Sequence, residues 1–340
     1  MNRRRKTLFL ILFQLCAAVG SFATGREWSA DRFLKNYQET TVKMEKDYAG
    51  KVVSTVIRRE SPCGGSRGVL YVHGYNDYFF QEEMGNRFVD SCWNFYAVDL
   101  RKYGRSLQTD QTPYQMRNIS EYYADLDSAI NVMAQNGIRD IVLMGHSTGG
   151  LVVASYMNNH PSPLIKAVIL NSPFLDWNMG SFTEKVAIPM VSCIGRHFPN
   201  IKISQGESSP YGESLLNDYH GEWNFDTNLK TIKPRKVSAG WIRGISEAQA
   251  ALRNHSFIKV PVLLMYSAKS IFGDKWTPEH QTGDAVLDVK DISRIGRTLG
   301  PDVTEISVNG GLHDLILSEK NVRNEVYNDI FNWLDNKVDL

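Results

Sequence analysis

The residues best placed to do chemistry stand in Gly145-His146-Ser147-Thr148-Gly149, a G-x-S-x-G pentapeptide. A serine hydroxyl is a weak nucleophile until a nearby base takes its proton. Of the eight histidines, His313 in Gly310-Gly311-Leu312-His313-Asp314 is placed for that task, because it directly follows the last strand expected in the chain. His146 is the rival, but as the second residue of a tight turn it is expected to point away from Ser147. His160, His197, His220, His255 and His280 have no such placement and read as surface residues or as part of an insertion described below. An acid between the serine and the histidine in chain order would complete the relay. Asp274, Asp284, Asp288 and Asp291 all satisfy that order. A turn residue or a helix cap is the plain alternative for each, and Asp288 and Asp291 look like helix starts.

Such a relay needs elements that converge. Ile141-Val142-Leu143-Met144 reads as a buried strand and residues 148–159 as a helix, so Ser147 falls on the turn between them. The steric demands of that turn explain the glycines, since side chains at 145 and 149 would collide as the strand passes into the helix. The helix N-terminus offers free N–H groups and a positive dipole end to an oxyanion. A second donor is expected from the loop after an early strand. Val69-Leu70-Tyr71-Val72 ends in His73-Gly74-Tyr75, so the backbone N–H groups of Tyr75 and Thr148 are the candidate oxyanion hole.

The same alternation extends over most of the chain. Strands are expected at Val52 to Ile57, Phe95 to Val98, Ala167 to Leu170, Val262 to Met265 and Val303 to Val308. Helices are expected near 30–48, 80–92, 119–136 (capped by Ser120), 288–299 and 318–337, the last four from apolar spacing or position between strands. Continuous apolar strands separated by helices describe an α/β protein whose mostly parallel sheet is covered on both faces. Residues 173–250 break the pattern, lacking strong strand signals and carrying Phe174, Trp177, Phe182, Phe198, Tyr211, Trp223, Phe225 and Trp241. A stretch that long is not a structureless loop, so it reads as a helical cap inserted after the sixth strand, with core segments at 24–172 and 251–340.

Composition narrows the function. The 340 residues carry a net charge of +1, with 42% hydrophobic and 22% charged residues, an ordinary globular balance. Arg3, Arg4, Arg5 and Lys6 precede an apolar run from Leu8 to Gly20 and a small-x-small sequence, Ser21-Phe22-Ala23. Residues 1–23 therefore read as a secretory signal peptide, giving a periplasmic or extracellular protein; a retained N-terminal membrane anchor is the alternative. Losing four positive charges and no negative ones leaves the mature chain at −3. The remaining cations are scattered among acids, without the basic stripe that nucleic acid requires. Cys63, Cys92 and Cys193 are expected as buried free thiols, with a Cys63–Cys92 bridge as the alternative. No Cys/His ligand pattern points to a metal, and nothing calls for a cofactor.

Taken together, His73-Gly74-Tyr75-Asn76-Asp77, the segment Asp99 to Ser106, Gly145 to Gly150 and the His313 segment resemble the α/β-hydrolase fold, and within it the lysophospholipase and monoacylglycerol-lipase-like branch. The likeness covers most of residues 50–337, the insertion only loosely. It implies a triad acid in a D-x-V-x-D pattern, which Asp284-Ala285-Val286-Leu287-Asp288 matches. Its first member, Asp284, is the acid so implied, with Asp288 next and Asp274 third. One departure stands out: residues 268–283 replace the short turn that normally precedes the acid. The resemblance implies a serine hydrolase of carboxylic esters, acyl esters or lysolipids, acting through Ser147, Asp284 and His313 on a small-molecule ester or lipid. A peptidase or amidase on the same triad and a non-catalytic binding protein on the same fold are the other readings. Association with a membrane surface and the oligomeric state are left open.

Overall fold

The computed structural model describes residues 27–180, 183–206 and 209–338; the signal-peptide reading of residues 1–23 lies outside them. Eight strands of six or seven residues build the sheet: β1 (Gln38–Lys43), β2 (Val53–Arg59), β3 (Arg67–Val72), β4 (Asn94–Asp99), β5 (Asp140–His146), β6 (Ile165–Asn171), β7 (Val262–Ser267) and β8 (Val303–Val308). Their spatial order is β1-β2-β4-β3-β5-β6-β7-β8, with the two-residue strand Ser29–Ala30 added outside β1. From β4 to β8 all neighbours are parallel, whereas β2 runs antiparallel to both β1 and β4.

Apolar side chains on both faces explain why the strands are buried. Leu70, Val72 and Leu143 face one layer, packed with Leu126, Ile130 and Leu151 from α2 (Tyr123–Gln135) and α3 (Thr148–Asn159). Val69, Tyr71, Val142 and Met144 face the other, packed with Phe88 of α1 (Glu82–Asp90) and Tyr327, Ile330 and Leu334 of α8 (Lys320–Lys337). Successive strand residues point to opposite faces, so each of these runs serves two cores at once. The register ends β3, β5, β6 and β7 level, pairing Val72 with Gly145, His146 with Asn171 and Met265 with Asn171. Loops leaving those ends therefore meet at one edge of the sheet.

Several expectations are corrected. The segment 30–48 is not a helix: it holds Ala30, the second residue of the strand Ser29–Ala30, and all of β1. Thr40, Thr41 and Val42 are β-branched and suit a strand, and pairing with β2 satisfies an edge that a helix would leave open. The segment is also locked from outside its own sequence, because Arg105 donates to both oxygens of Asp31, at 2.7 and 2.9 Å. The cap before α2 is Asn118 rather than Ser120; its Oδ1 accepts from the Ser120 N–H at 2.9 Å, and Glu121 accepts in return from the Asn118 N–H at 3.1 Å. Cys63 and Cys92 are bonded to each other, with their Cα atoms 5.4 Å apart, and Cys193 is exposed rather than buried. The two bonded cysteines precede β3 and β4, and the parallel pairing of those strands sets their entrances side by side.

After β6, the sixth of the full-length strands, the chain leaves the sheet and returns at β7. The excursion holds α4 (Ile188–His197), α5 (Pro210–Leu215) and α6 (Ala239–Asn254), with a short antiparallel pairing of Lys202–Ile203 to Val237–Ser238. Helix α4 lies against the start of α6 so closely that a Cβ at Gly195 would stand 2.3 Å from the Ala239 carbonyl oxygen.

Candidate active site

Ser147 sits between β5 and α3 with φ 53° and ψ −118°, a conformation that costs a residue with a side chain and persists only where its surroundings enforce it. The enforcement is visible on both sides. A Cβ on Gly145 would stand 2.6 Å from the Gly149 carbonyl oxygen, and one on Gly149 would stand 2.3 Å from the carbonyl oxygens of Val72 and His73. The Ser147 N–H donates to the Asn171 carbonyl at 3.0 Å, and the Ser147 carbonyl accepts from the Phe174 N–H at 2.9 Å. The turn is thus pinned to the end of β6.

His313 follows β8 and is buried. Its Nδ1 lies 2.8 Å from Asp284 Oδ2 and its Nε2 lies 2.9 Å from Ser147 Oγ. A carboxylate only accepts, so Nδ1 carries the proton and Nε2 is left to accept from the serine hydroxyl. The other Asp284 oxygen accepts from the N–H groups of Val286 and Leu287, each at 2.8 Å, which holds the fully buried carboxylate in place. Asp274 lines the mouth of the adjoining cavity. Asp288 caps α7 (Val289–Gly296) by accepting from the Lys290 N–H, and Asp291 pairs with Arg294. Of the four acids, only Asp284 meets His313.

The long stretch before Asp284 is closed at its base. The Ile271 N–H donates to the Asp284 carbonyl at 2.8 Å, and the Asp284 N–H donates to the Lys269 carbonyl at 2.9 Å. Asp284 therefore stands beside the end of β7, where a short turn would have put an acid. His280, expected at the surface, is buried inside this stretch.

Gly74 packs against the turn, where a Cβ would lie 3.2 Å from Ser147 Cβ. Tyr75 and Thr148 line the same cavity as Ser147 and His313. Thr148 is the first residue of α3, where an N–H has no carbonyl one turn back to receive it. His146 does not reach Ser147: its Nδ1 donates to the Asn171 carbonyl at 3.1 Å, and its ring lies 4.8 Å from that of His313. Burial, reinforced by His313, holds the His146 imidazole well below its usual pKa and therefore neutral. Asp314 lies beside it, with Oδ2 3.9 Å from His146 Nε2, while its Oδ1 accepts from Asn171 Nδ2 at 2.7 Å. Burial raises its carboxyl above the usual range, with Lys230 opposing.

The cavity over Ser147 holds about 420 Å³, within the size range of small-molecule sites. Phe174, Trp177, Leu287 and Trp241 make much of its wall, while Asn76, Gln205 and Lys230 supply polar groups. Tyr211 of α5 sets its ring edge-on to His313 at 5.3 Å. Lys230 is buried, with Nζ 3.0 Å from Asp77 Oδ1. Nothing in the local sequence marks Lys230 or Gln205, and Asn76 stands out only as part of the His73 to Asp77 motif. Among the described residues no group of three or more His, Cys, Asp or Glu side chains could hold a metal ion.

Comparison with known proteins agrees with this architecture. The family model described as serine aminopeptidase, S33, matches residues 66–321. The chain is 24% identical over 211 residues to phospholipase YtpA of Bacillus subtilis, covering 61% of this chain and 77% of that protein. Among solved structures, a soluble variant of the monoglyceride lipase of Saccharomyces cerevisiae superposes with a TM-score of 0.63 at 17% identity, over 88% of this chain and 97% of the other. A monoacylglycerol lipase of Paleococcus ferrophilus superposes with a TM-score of 0.59 at 18% identity, over 88% and 99%. At that identity the structural likeness concerns the fold.

Proposed function

The chain belongs to the serine aminopeptidase S33 family of α/β-hydrolases, and from that premise we propose that it is a serine hydrolase of carboxylic esters with apolar acyl groups. The observation that carries the reading is the buried hydrogen-bonded series Ser147–His313–Asp284 at the floor of an aromatic cavity. Ser147 attacks the ester carbonyl as His313 takes its proton. Asp284 holds the imidazole in the accepting tautomer and stabilises the imidazolium. The N–H groups of Tyr75 and Thr148 receive the oxyanion. His313 then protonates the leaving alcohol, and water clears the acyl-enzyme by the same steps in reverse.

The family description names an aminopeptidase, so the amide reading needs weighing. Holding a free α-ammonium calls for a carboxylate inside the cavity. Among the lining residues the one carboxylate is Asp274, at the exposed mouth, and the one lysine or arginine is the buried Lys230, paired with Asp77. That lining favours an uncharged acyl chain, and the lipases and phospholipase among the similar proteins support the same class. The test compares p-nitrophenyl esters with aminoacyl p-nitroanilides, together with fluorophosphonate labelling. Esters should be preferred, and Ser147→Ala should lose labelling and about 10⁶-fold in rate, as other serine hydrolases do. Undiminished turnover in that variant would sink the reading.

Two further expectations belong to it. The first is export through removal of residues 1–23, so that the mature chain begins near Thr24; N-terminal sequencing from the native host checks this, and intact Met1 in a membrane pellet would favour the anchor. The second is contact with a lipid surface. Among the described residues no helix is long and apolar enough to cross a membrane, but Val186, Met190, Ile194 and Phe198 recur every fourth residue along α4 and its approach, all exposed. Lys185, Arg196 and Lys202 are exposed beside them, with no acid between 185 and 202, the pattern of a face that rests on anionic lipid. Sedimentation with phosphatidylglycerol vesicles should be strong and should weaken in Met190→Glu. Self-association without vesicle binding would instead make this face a contact between copies.

A further inference from the structure

The stretch that separates β7 from Asp284 departs from the family pattern, and its body is bolted down. Trp276 stacks on His220 with ring centroids 3.5 Å apart, and its Nε1 donates to Ser214 Oγ at 3.1 Å. Gln281 Nε2 donates to the carbonyls of Ser214 and His220 at 3.1 and 2.7 Å. With its base closed on Asp284, the loop is fixed at both ends, to the acid below and to the insertion above. Only its tip is left out. Phe272 is 66% exposed, the most exposed large apolar side chain of the described residues, and Gly273 beside it takes φ 154°.

That exposure has a place. Of the residues lining the cavity over Ser147, only Met179, Phe272, Gly273, Asp274 and Val286 are exposed. The cavity therefore opens between them, and its rim is apolar on three sides: Met179 from the insertion, Phe272 from the loop and Val286 beside the acid. An apolar track leads from the serine to this rim. Phe174 abuts Ser147 through its backbone, Trp177 packs on Phe174 with ring centroids 5.0 Å apart, and Asn178 Nδ2 reaches the Val286 carbonyl at 3.0 Å. Of the polar lining side chains, Asn178 lies on this segment and donates its amide N–H to the Val286 carbonyl, while Asn76, Gln205 and Lys230 belong to other segments.

We propose that Phe272 selects substrates with long acyl chains, by covering the length of chain that leaves the cavity between Met179 and Val286. A short acyl group ends inside the cavity and never meets the ring. A long one passes the rim, and burying apolar surface against Phe272 is favourable in proportion to the area removed from water. The proposal rests on the ester-hydrolase reading for the identity of the chain, but not for its test.

Two measurements separate the two. In turnover, the ratio of kcat/KM for p-nitrophenyl laurate over butyrate should fall about tenfold in Phe272→Ala, which corresponds to about 1.4 kcal/mol. Most of the ratio should return in Phe272→Leu, which keeps apolar bulk without the ring. In binding, laurate should bind the Ser147→Ala protein more weakly when Phe272→Ala is added, by calorimetry, and this readout needs no catalysis. An unchanged laurate-to-butyrate ratio with unchanged laurate binding overturns the proposal. So does an equal loss for both esters, which would mean that Phe272 only supports the loop. If neither ester is turned over while laurate binding still depends on Phe272, the ester reading fails and the role of Phe272 stands.

Discussion

Ser147 and Asp284 reach the same imidazole from two unlike backbones. The turn carrying Ser147 is short: five residues, two of them glycines whose Cβ atoms would strike carbonyl oxygens at 2.6 Å within the turn and at 2.3 Å on the end of β3. The stretch carrying Asp284 is long and wanders out to the insertion before two backbone hydrogen bonds bring it home. The first region is defined by what it excludes, because a fixed backbone leaves no room for change. The second is defined by where it closes, so the clasp leaves its interior unspecified, and that interior makes contacts with α5 and with the cavity rim. Around one imidazole, Ser147 is held by sterics and Asp284 by a clasp.

The largest effect should come from the chemistry that the clasp delivers. Asp284→Asn keeps the shape and can still accept from Val286 and Leu287, but can set a donor against the His313 Nδ1–H. By analogy with serine hydrolases in which the acid of a Ser-His-Asp triad is changed this way, the rate should fall by up to about 10⁴-fold, with the midpoint of urea unfolding little moved. A small loss of rate would mean that another acid serves His313.

Next come the glycines, which test the contrast directly. Gly149→Ala would place its Cβ against the backbone of β3, which cannot retreat, and should destabilise by about 3 kcal/mol or more, the upper range for overpacking. Gly283→Ala meets a side chain instead, Ile271 Cγ1 at 2.4 Å, and Ile271 is only partly buried. A cost nearer 1 kcal/mol is expected there. Equal costs in denaturant titrations would remove the distinction between a steric turn and a closed loop.

Smallest should be Asp288→Ala. Its carboxylate caps α7 and touches nothing in the relay, so it should cost about 1 kcal/mol of stability and leave kcat/KM for short esters unchanged. A large loss of turnover would show that the neighbouring acid takes part after all.

Much of the site was legible beforehand, for reasons that differ residue by residue. Ser147 and His313 announced themselves because each follows a strand in a short glycine-bearing turn, and both signals lie within a few residues. Asp284 did not: four aspartates follow the strand at 262–265 before the next helix is under way, and only likeness to a family pattern singles one out. The strand at 38–43 looks helical from sequence alone, because its partner β2 and the Arg105 that locks it through Asp31 lie elsewhere in the chain. The sequence favours free thiols at Cys63 and Cys92 and leaves their bridge as the alternative, since their approach depends on which strands become neighbours. Asn118 was overlooked as a cap in favour of Ser120, two residues along.

The sequence by itself determined the alternation of strands and helices, the tight turn at Ser147 and the position of His313 after the last strand. These follow from short-range sterics and from periodic burial, which operate over neighbours in the chain. The tertiary structure alone decided the rest: which of four acids faces the imidazole, which cysteines meet, and where the cavity opens. Those outcomes depend on strand order and on the closing of a long loop, in which groups distant along the chain are brought within hydrogen-bonding reach, and no local pattern records such distances.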